Sequence, residues 1–191
     1  MVDSLQKCKA QSAKQKILRK LKLEKKKYAV LTLHRPSNVD NPQILKKLLK
    51  TFEIISKKIP IVFPAHPRTI KQLKRFGLEI RNSKLEIIAP LGYIDTICLI
   101  TNSKFVLTDS GGIQQETTSL GIPCLTIREN TERPITITQG TNILCGNNKN
   151  KILKETNKIL AGQRKQGKIP KYWDGHTSTR IIKILLTKLV N

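Results

Sequence analysis

Six short apolar segments alternate with segments of helical periodicity along nearly the whole chain, and this alternation constrains the fold more than any other feature. Val, Ile and Leu occupy successive positions of the predicted strands, which are 28–33, 59–64, 85–89, 104–108, 123–127 and 142–145. Strands that are apolar on both faces are typical of a buried parallel sheet. Helices are predicted at 42–57, 69–76, 93–101, 112–120, 132–138, 149–161 and 178–189. This order predicts an α/β fold, with a Rossmann-like parallel sheet covered by helices on both faces.

The segment 105–116 joins an apolar strand to a helix through a corner of small residues. The first amide groups of a helix have no partner inside the helix and carry a partial positive charge. The Ser110 hydroxyl can cap that end, while Gly111 and Gly112 leave the amides open to an anion. Glu116 would repel a lone phosphate, but it could accept hydrogen bonds from a ribose diol. The corner indicates a nucleotide site; a capped helix with an exposed acidic residue is the alternative.

Polar residues also follow other predicted strands, at the point where each strand ends. Since parallel strands end at one edge of a sheet, we expect these side chains to line one site together with the corner. The basic ones are His34, Arg35, His66, Arg68, Arg128 and Arg133. His176 lies beside the final helix, and we interpret it as structural. No Walker or G-x-G-x-x-G motif is present, so neither ATP hydrolysis nor nicotinamide chemistry is supported.

The amino-acid composition limits the classes of protein to which this chain can belong. A chain of 191 residues is long enough to bury a substantial core, and its formal net charge is +23. Lysines dominate the basic residues and aromatic residues are only 4%, so a nucleic-acid platform is disfavoured. No apolar run approaches the roughly 18 residues that cross a bilayer, and the lysine-rich start has no signal-peptide core. We expect a cytoplasmic protein without membrane contact.

The four cysteines are widely spaced and have no nearby histidine that would complete a metal site. They are Cys8, Cys98, Cys124 and Cys145. We expect reduced, mostly buried thiols and no metal.

Five motifs in this chain resemble, in order, those of the non-hydrolysing UDP-N-acetylglucosamine 2-epimerase family. They occupy 32–40, 64–69, 90–93, 108–116 and 131–134, and the last is followed by Gly140-Thr141-Asn142. The resemblance covers essentially the whole chain, but only the carboxyl-terminal half of the family's protein. It implies one half of a glycosyltransferase B-type fold. Residues 1–27 would be an amino-terminal helix and basic connector from the interdomain region, and 28–191 the UDP-binding Rossmann-like domain.

The resemblance also implies an activity and a role for each site residue. The family interconverts UDP-N-acetylglucosamine and UDP-N-acetylmannosamine by eliminating UDP and adding it back, with no cofactor and no obligatory metal, and serves polysaccharide biosynthesis. His34 would be catalytic, approaching the sugar and diphosphate. The substrate-binding residues would be Arg35, His66, Leu91, Thr96, Ser110, Gly111, Gly112, Glu116 and Arg133. The diphosphate would lie on the Ser110 corner, the ribose on Glu116, and the uracil along residues 91–96.

The family's acid and base carboxylates lie in an amino-terminal domain, so the resemblance implies that this chain binds UDP but needs that domain as a partner for activity. The complete enzyme would be a homo-oligomer. Residues 1–5 resemble the crossover between the two domains, so Met1 would be an internal methionine of a truncated, split or mis-started chain. Four positions depart from the family pattern, at Ser37, Thr96, Gln115 and Ile135; Ser37 makes regulation by a second substrate molecule doubtful.

Two other functions fit parts of the sequence. A UDP-sugar-dependent glycosyltransferase uses the same half-fold. A basic nucleic-acid-binding protein would use the positive charge alone, and DNA or RNA affinity with a steep salt dependence would distinguish it.

Overall fold

A computed structural model describes residues 2–5, 8, 16–80 and 84–189. Within these residues, six parallel strands form a single sheet in the order β3-β2-β1-β4-β5-β6. The strands are β1 (Ala29–Thr32), β2 (Ile61–Pro64), β3 (Leu85–Ile88), β4 (Phe105–Thr108), β5 (Cys124–Thr126) and β6 (Asn142–Leu144). Each strand lies inside a segment predicted from the sequence, so the predicted parallel α/β fold is confirmed.

Residues 2–5 and 8 are helical, and the further helices of the described residues are α1 (Lys16–Lys20), α2 (Pro36–Val39), α3 (Pro42–Ser56), α4 (Pro67–Arg75), α5 (Tyr93–Asn102), α6 (Gly111–Leu120), α7 (Pro134–Thr138), α8 (Lys149–Leu160) and α9 (Thr177–Leu189). The short α2 was not predicted. The predicted starts of α4 and α7, at 69 and 132, were wrong by two residues. Both helices begin at a proline, whose fixed φ and missing N–H suit the first helical turn.

Two apolar cores cover the two faces of the sheet. Ala29 and Leu31 of β1 face the core formed with α3, α4 and α8, while Val30 faces the core formed with α1, α5 and α6. Alternate residues of a strand point to opposite faces, so a strand buried on both sides must be apolar throughout. Three of the cysteines contribute to this interior: Cys98, Cys124 and Cys145 are buried free thiols, and Cys8 is partly exposed.

The order of the strands in the sheet determines where the candidate site lies. The chain moves outward from β1 to β3, returns to pair β4 with β1, and then continues outward to β6. The carboxyl ends of β1 and β4 therefore flank the crevice where the winding reverses, which is where open α/β sheets bind their ligands.

The amino-terminal segment predicted at 1–27 is only partly described, since residues 1, 6, 7 and 9–15 lie outside the described residues. The backbone N–H of Ser178 donates to Asp3 at 3.1 Å, so the start of α9 lies against the first turn of the chain. In the described part of the chain, no helix is both long and apolar enough to cross a membrane.

Candidate functional site

A histidine and a buried aspartate meet at the switch point. His34 follows β1, and its Nδ1 lies 3.0 Å from Oδ1 of Asp109, the residue that follows β4. Asp109 also accepts the backbone N–H of His34 at 3.1 Å and of Arg35 at 2.9 Å. Asn38 of α2 donates a further hydrogen bond, at 3.1 Å, to the same carboxylate. The Asp109 side chain is fully buried, while that of His34 is 36% exposed.

Burial by itself would raise the pKa of Asp109. The hydrogen bonds from His34 and from the Arg35 backbone outweigh that penalty, so the pKa of Asp109 lies below its usual value. An ionised Asp109 accepts the Nδ1 proton of His34, which fixes the tautomer and leaves Nε2 for a ligand.

The small-residue corner has the geometry expected of an anion site. Ser110 is the N-cap of α6, and its hydroxyl oxygen accepts the backbone N–H of Ile113 at 3.4 Å. Accepting this bond leaves the hydroxyl proton of Ser110 available to a ligand. Gly111 and Gly112 form the first turn, where backbone N–H groups have no acceptor within the helix. Capping and anion binding are therefore compatible at this corner.

Arg35 extends from the end of β1 toward the same corner. Its Nη2 lies 3.3 Å from Oε1 of Glu132, while Nη1 of Arg128 lies 2.6 Å from Oε2 of that carboxylate. Glu132 Oε2 is 3.8 Å from the position that a Cβ atom would take on Gly111. Two arginines and one carboxylate therefore lie at the mouth of the corner.

Glu116 is buried, with 6% of the residue exposed, so the alternative of an exposed acidic residue is wrong. Burial raises the pKa of Glu116, and a hydrogen bond from Tyr93 only partly offsets this. Burial and the nearby Glu116 charge also raise the pKa of Tyr93. A buried carboxylate with few partners can gain hydrogen bonds from ligand hydroxyl groups.

His66 lies beside His34, with 5.7 Å between the ring centroids. Its Nδ1 accepts the backbone N–H of Arg68 and so caps α4. Arg68 does not reach the corner: its Nε donates to Asp40 at 3.0 Å, and its guanidinium pairs with that carboxylate. The structure therefore brings His66 to the site edge and directs Arg68 away from the corner.

The remaining predicted residues lie on two flanking segments. Leu91 packs against the α5–α6 core, and the Thr96 hydroxyl donates to the Gly92 carbonyl at 3.0 Å inside α5. Arg133 is exposed at the N-terminus of α7, where its backbone N–H donates to Thr131. Thr131 donates in turn to the buried Gln114 of α6 at 2.6 Å, which links the 131–133 segment to the corner helix.

Sequence reasoning missed Asp109, Asn38 and Glu132 as site residues, and it gave Arg128 only a place on the sheet edge. The signal for Asp109 was available: an ionisable residue directly follows the apolar run Phe105–Leu107 and Thr108, and this strand pairs with the strand that precedes His34. The pairing of Glu132 depends on the path of a loop, which the sequence pattern does not specify.

A sequence model described as UDP-N-acetylglucosamine 2-epimerase matches residues 1–186. The chain belongs to this family. The UDP-N-acetylglucosamine 2-epimerase of Methanocaldococcus jannaschii is 44% identical over 163 residues, which cover 83% of this chain and 44% of that protein. The chain thus spans about half the length of the curated relatives it matches.

The family's solved structures share the fold. The crystal structure of Methanocaldococcus jannaschii UDP-GlcNAc 2-epimerase in complex with UDP-GlcNAc and UDP superposes with a TM-score of 0.85, at 40% identity, over 97% of this chain and 52% of that chain. An E. coli heptosyltransferase with ADP, at 17% identity and a TM-score of 0.51 over 72% of this chain, shares only the fold. The sheet is one half of a glycosyltransferase B-type fold, as predicted.

Among the described residues, no group of three or more His, Cys, Asp and Glu side chains is arranged to hold a metal ion.

Proposed function

We propose that this chain is the nucleotide-binding half of a UDP-N-acetylglucosamine 2-epimerase, which interconverts UDP-N-acetylglucosamine and UDP-N-acetylmannosamine. The observation that carries the proposal is the meeting of His34, Asp109 and the Ser110 corner at the switch point of the sheet. A family member of the same fold has been solved with UDP-GlcNAc and UDP. The proposal includes a cytoplasmic location, a role in polysaccharide biosynthesis and a homo-oligomeric complete enzyme.

In this proposal the diphosphate lies on the corner. Ser110 donates its hydroxyl proton, and the amides of Gly111 and Gly112 supply partial positive charge. Arg35 and Arg133 add full positive charge at the rim. Such groups act most strongly where negative charge develops, which in this reaction is the departing UDP.

The nucleoside would extend from the corner along α6 and α5. The buried Glu116 carboxylate would accept the ribose hydroxyls, displacing the Tyr93 hydroxyl or sharing the carboxylate with it. Leu91 and Thr96 would lie along the uracil. His66 would approach the sugar beside His34, since the two rings are adjacent.

His34 would act next to the reacting sugar. With Nδ1–H held by Asp109, the doubly protonated ring would donate from Nε2–H to the bridging phosphate oxygen as UDP departs, and the Asp109 carboxylate would stabilise that imidazolium. Removal of the sugar C2 proton needs a base that this half does not supply in the proposal, so both halves are required for turnover.

Isothermal titration of UDP into the 191-residue chain tests the binding step. We expect Ser110→Ala combined with Arg133→Ala to weaken UDP binding at least tenfold, about 1.4 kcal/mol, because the pair removes a hydroxyl donor and a charge. Arg164→Ala is the matched control, since Arg164 lies near Lys26 and Lys104 at the opposite edge of the sheet. No UDP binding by the folded wild-type chain, or equal affinity in the double variant, would refute the proposal.

Turnover is tested by adding a separately expressed amino-terminal half and following interconversion of the two UDP-amino sugars. Transfer of the sugar to an acceptor without any interconversion would instead establish the glycosyltransferase alternative.

A further inference from the structure

Glu132 lies where a diphosphate bound at the Ser110 corner would also lie. Its two carboxylate oxygens pair with different arginines, Arg35 at 3.3 Å and Arg128 at 2.6 Å. The oxygen that pairs with Arg128 is also the one next to Gly111, at 3.8 Å from the Cβ position of that residue. One carboxylate thus bridges two guanidinium groups over the first turn of α6.

The charges in this cluster are not balanced. Two guanidinium groups and one carboxylate leave a net charge of +1, and the N-terminus of α6 adds to it. The Nε of Arg35 is buried and has no hydrogen-bond partner among the described residues. The cluster therefore has both an excess of positive charge and an unused donor.

The Arg128 and Glu132 side chains differ in how deeply they are buried. The Arg128 side chain is only 11% exposed, whereas that of Glu132 is 54% exposed. A half-exposed carboxylate loses little when it moves into water, because surface ion pairs contribute little free energy. A nearly buried guanidinium loses more when left unpaired, so Arg128 needs an anion in place of any carboxylate that leaves.

We propose that Glu132 is an internal stand-in for phosphate, which holds Arg35 and Arg128 in place in the ligand-free protein and is displaced when a diphosphate binds. Arg128 is then a diphosphate-binding residue, a specific role beyond the place at the sheet edge that the sequence predicted for it. This inference rests on the proposed function, because it assigns the diphosphate of that function to the α6 corner.

Displacement of the Glu132 carboxylate by a bound diphosphate would make the site selective for a dianion over a monovalent anion. A monovalent anion would only replace the charge that Glu132 already supplies, whereas a diphosphate brings more negative charge and can reach both arginines. Displacing Glu132 also reduces the affinity for UDP, since the ligand must compete with a carboxylate already in place. Removing that carboxylate should therefore tighten binding.

The test is Glu132→Gln in the full 191-residue chain, with UDP and inorganic pyrophosphate titrated separately by calorimetry at low salt. We expect the dissociation constant of each ligand to fall about three- to tenfold, as expected for loss of one competing, half-exposed charge. Arg128→Ala should weaken both ligands. Glu129→Gln is the matched control, because it removes the same charge three residues away, where Glu129 accepts from the Asn147 backbone instead of pairing with Arg35 or Arg128.

Unchanged or weaker binding of both ligands to Glu132→Gln, with the fold intact by circular dichroism, would overturn the inference and make Glu132 a support for the arginines. Equal tightening in Glu129→Gln would also overturn it, because the effect would then be one of net charge. If the wild-type chain binds pyrophosphate but not UDP, the proposed function fails, while tighter pyrophosphate binding by Glu132→Gln still supports the stand-in.

Discussion

At the scale of single residues, Glu116 shows how a group proposed to bind a ligand can lower the stability of the protein. The residue is 6% exposed, and burial raises its pKa above the usual value despite the hydrogen bond from Tyr93. At pH values above the raised pKa of Glu116, the folded protein holds a buried negative charge, so its free energy of unfolding is lower than at a pH where Glu116 is protonated. Below the pKa of Glu116 in the unfolded chain, both states are protonated and the penalty is absent.

We therefore expect Glu116→Gln to raise the melting temperature at pH 7 and to weaken UDP binding about tenfold or more, because a neutral amide is a poorer acceptor for hydroxyl groups. Differential scanning calorimetry across pH measures the first effect. The gain in melting temperature should shrink toward zero below about pH 4, near the ordinary pKa of a glutamate. Glu86→Gln, at an exposed position of β3, is the control. A Glu116→Gln variant that is less stable than wild type at pH 7 would contradict the prediction.

At the scale of elements, α2 is joined to the sheet by the Asn38 side chain, and Val39 of the same helix packs in the core. Asn38 donates through Nδ2 to Asp109 at 3.1 Å and to the Ile127 carbonyl at 2.8 Å, so it joins α2 to the ends of β4 and β5. Asn38 is buried, and removing it would leave both acceptors with one fewer donor. The pair of bonds fixes the turn that presents His34 and Arg35.

We expect Asn38→Ala to lower the free energy of unfolding by about 2 kcal/mol, because the Ile127 carbonyl would lose its side-chain donor and the buried Asp109 carboxylate one of its donors. Urea denaturation measures this change. Ser37→Ala is the matched control, because Ser37 is the exposed neighbour of Asn38 in the same helix. Equal stability of the two variants would show that α2 is held by its apolar contacts alone.

The same elements show what the sequence could predict. Strands that are apolar on both faces, and helices with an apolar stripe, were located correctly because their periodicity reports burial directly. The four-residue α2 is too short to have a period, and tertiary hydrogen bonds to Asp109 and Ile127 hold it. The Glu132 bridge was missed for the same reason. Arg35 is 97 residues and Arg128 is four residues from Glu132 along the chain, and the three side chains meet only in the folded protein.

At the scale of the whole molecule, α9 presents an apolar surface to solvent. Five of its side chains are between 52% and 59% exposed: Ile181, Ile182, Ile184, Leu185 and Leu186. A contiguous patch of this kind marks an interaction surface or a site of association. The chain also carries a formal net charge of +23, which keeps copies of it apart at low ionic strength.

The exposed apolar residues of α9 and the high net charge together predict that copies of the chain associate more strongly as the salt concentration rises. Raising the salt concentration to about 0.5 M shortens the Debye length to a few ångströms, which screens repulsion and leaves apolar contact intact. We expect sedimentation velocity to show larger species at high salt than at low salt. The double variant Ile182→Gln with Leu186→Gln should suppress these species. Its melting temperature should not fall, because both side chains are already exposed. Lys183→Gln, in the same helix, is the control. Association that weakens with salt would contradict the prediction and indicate bridging by a polyanion instead.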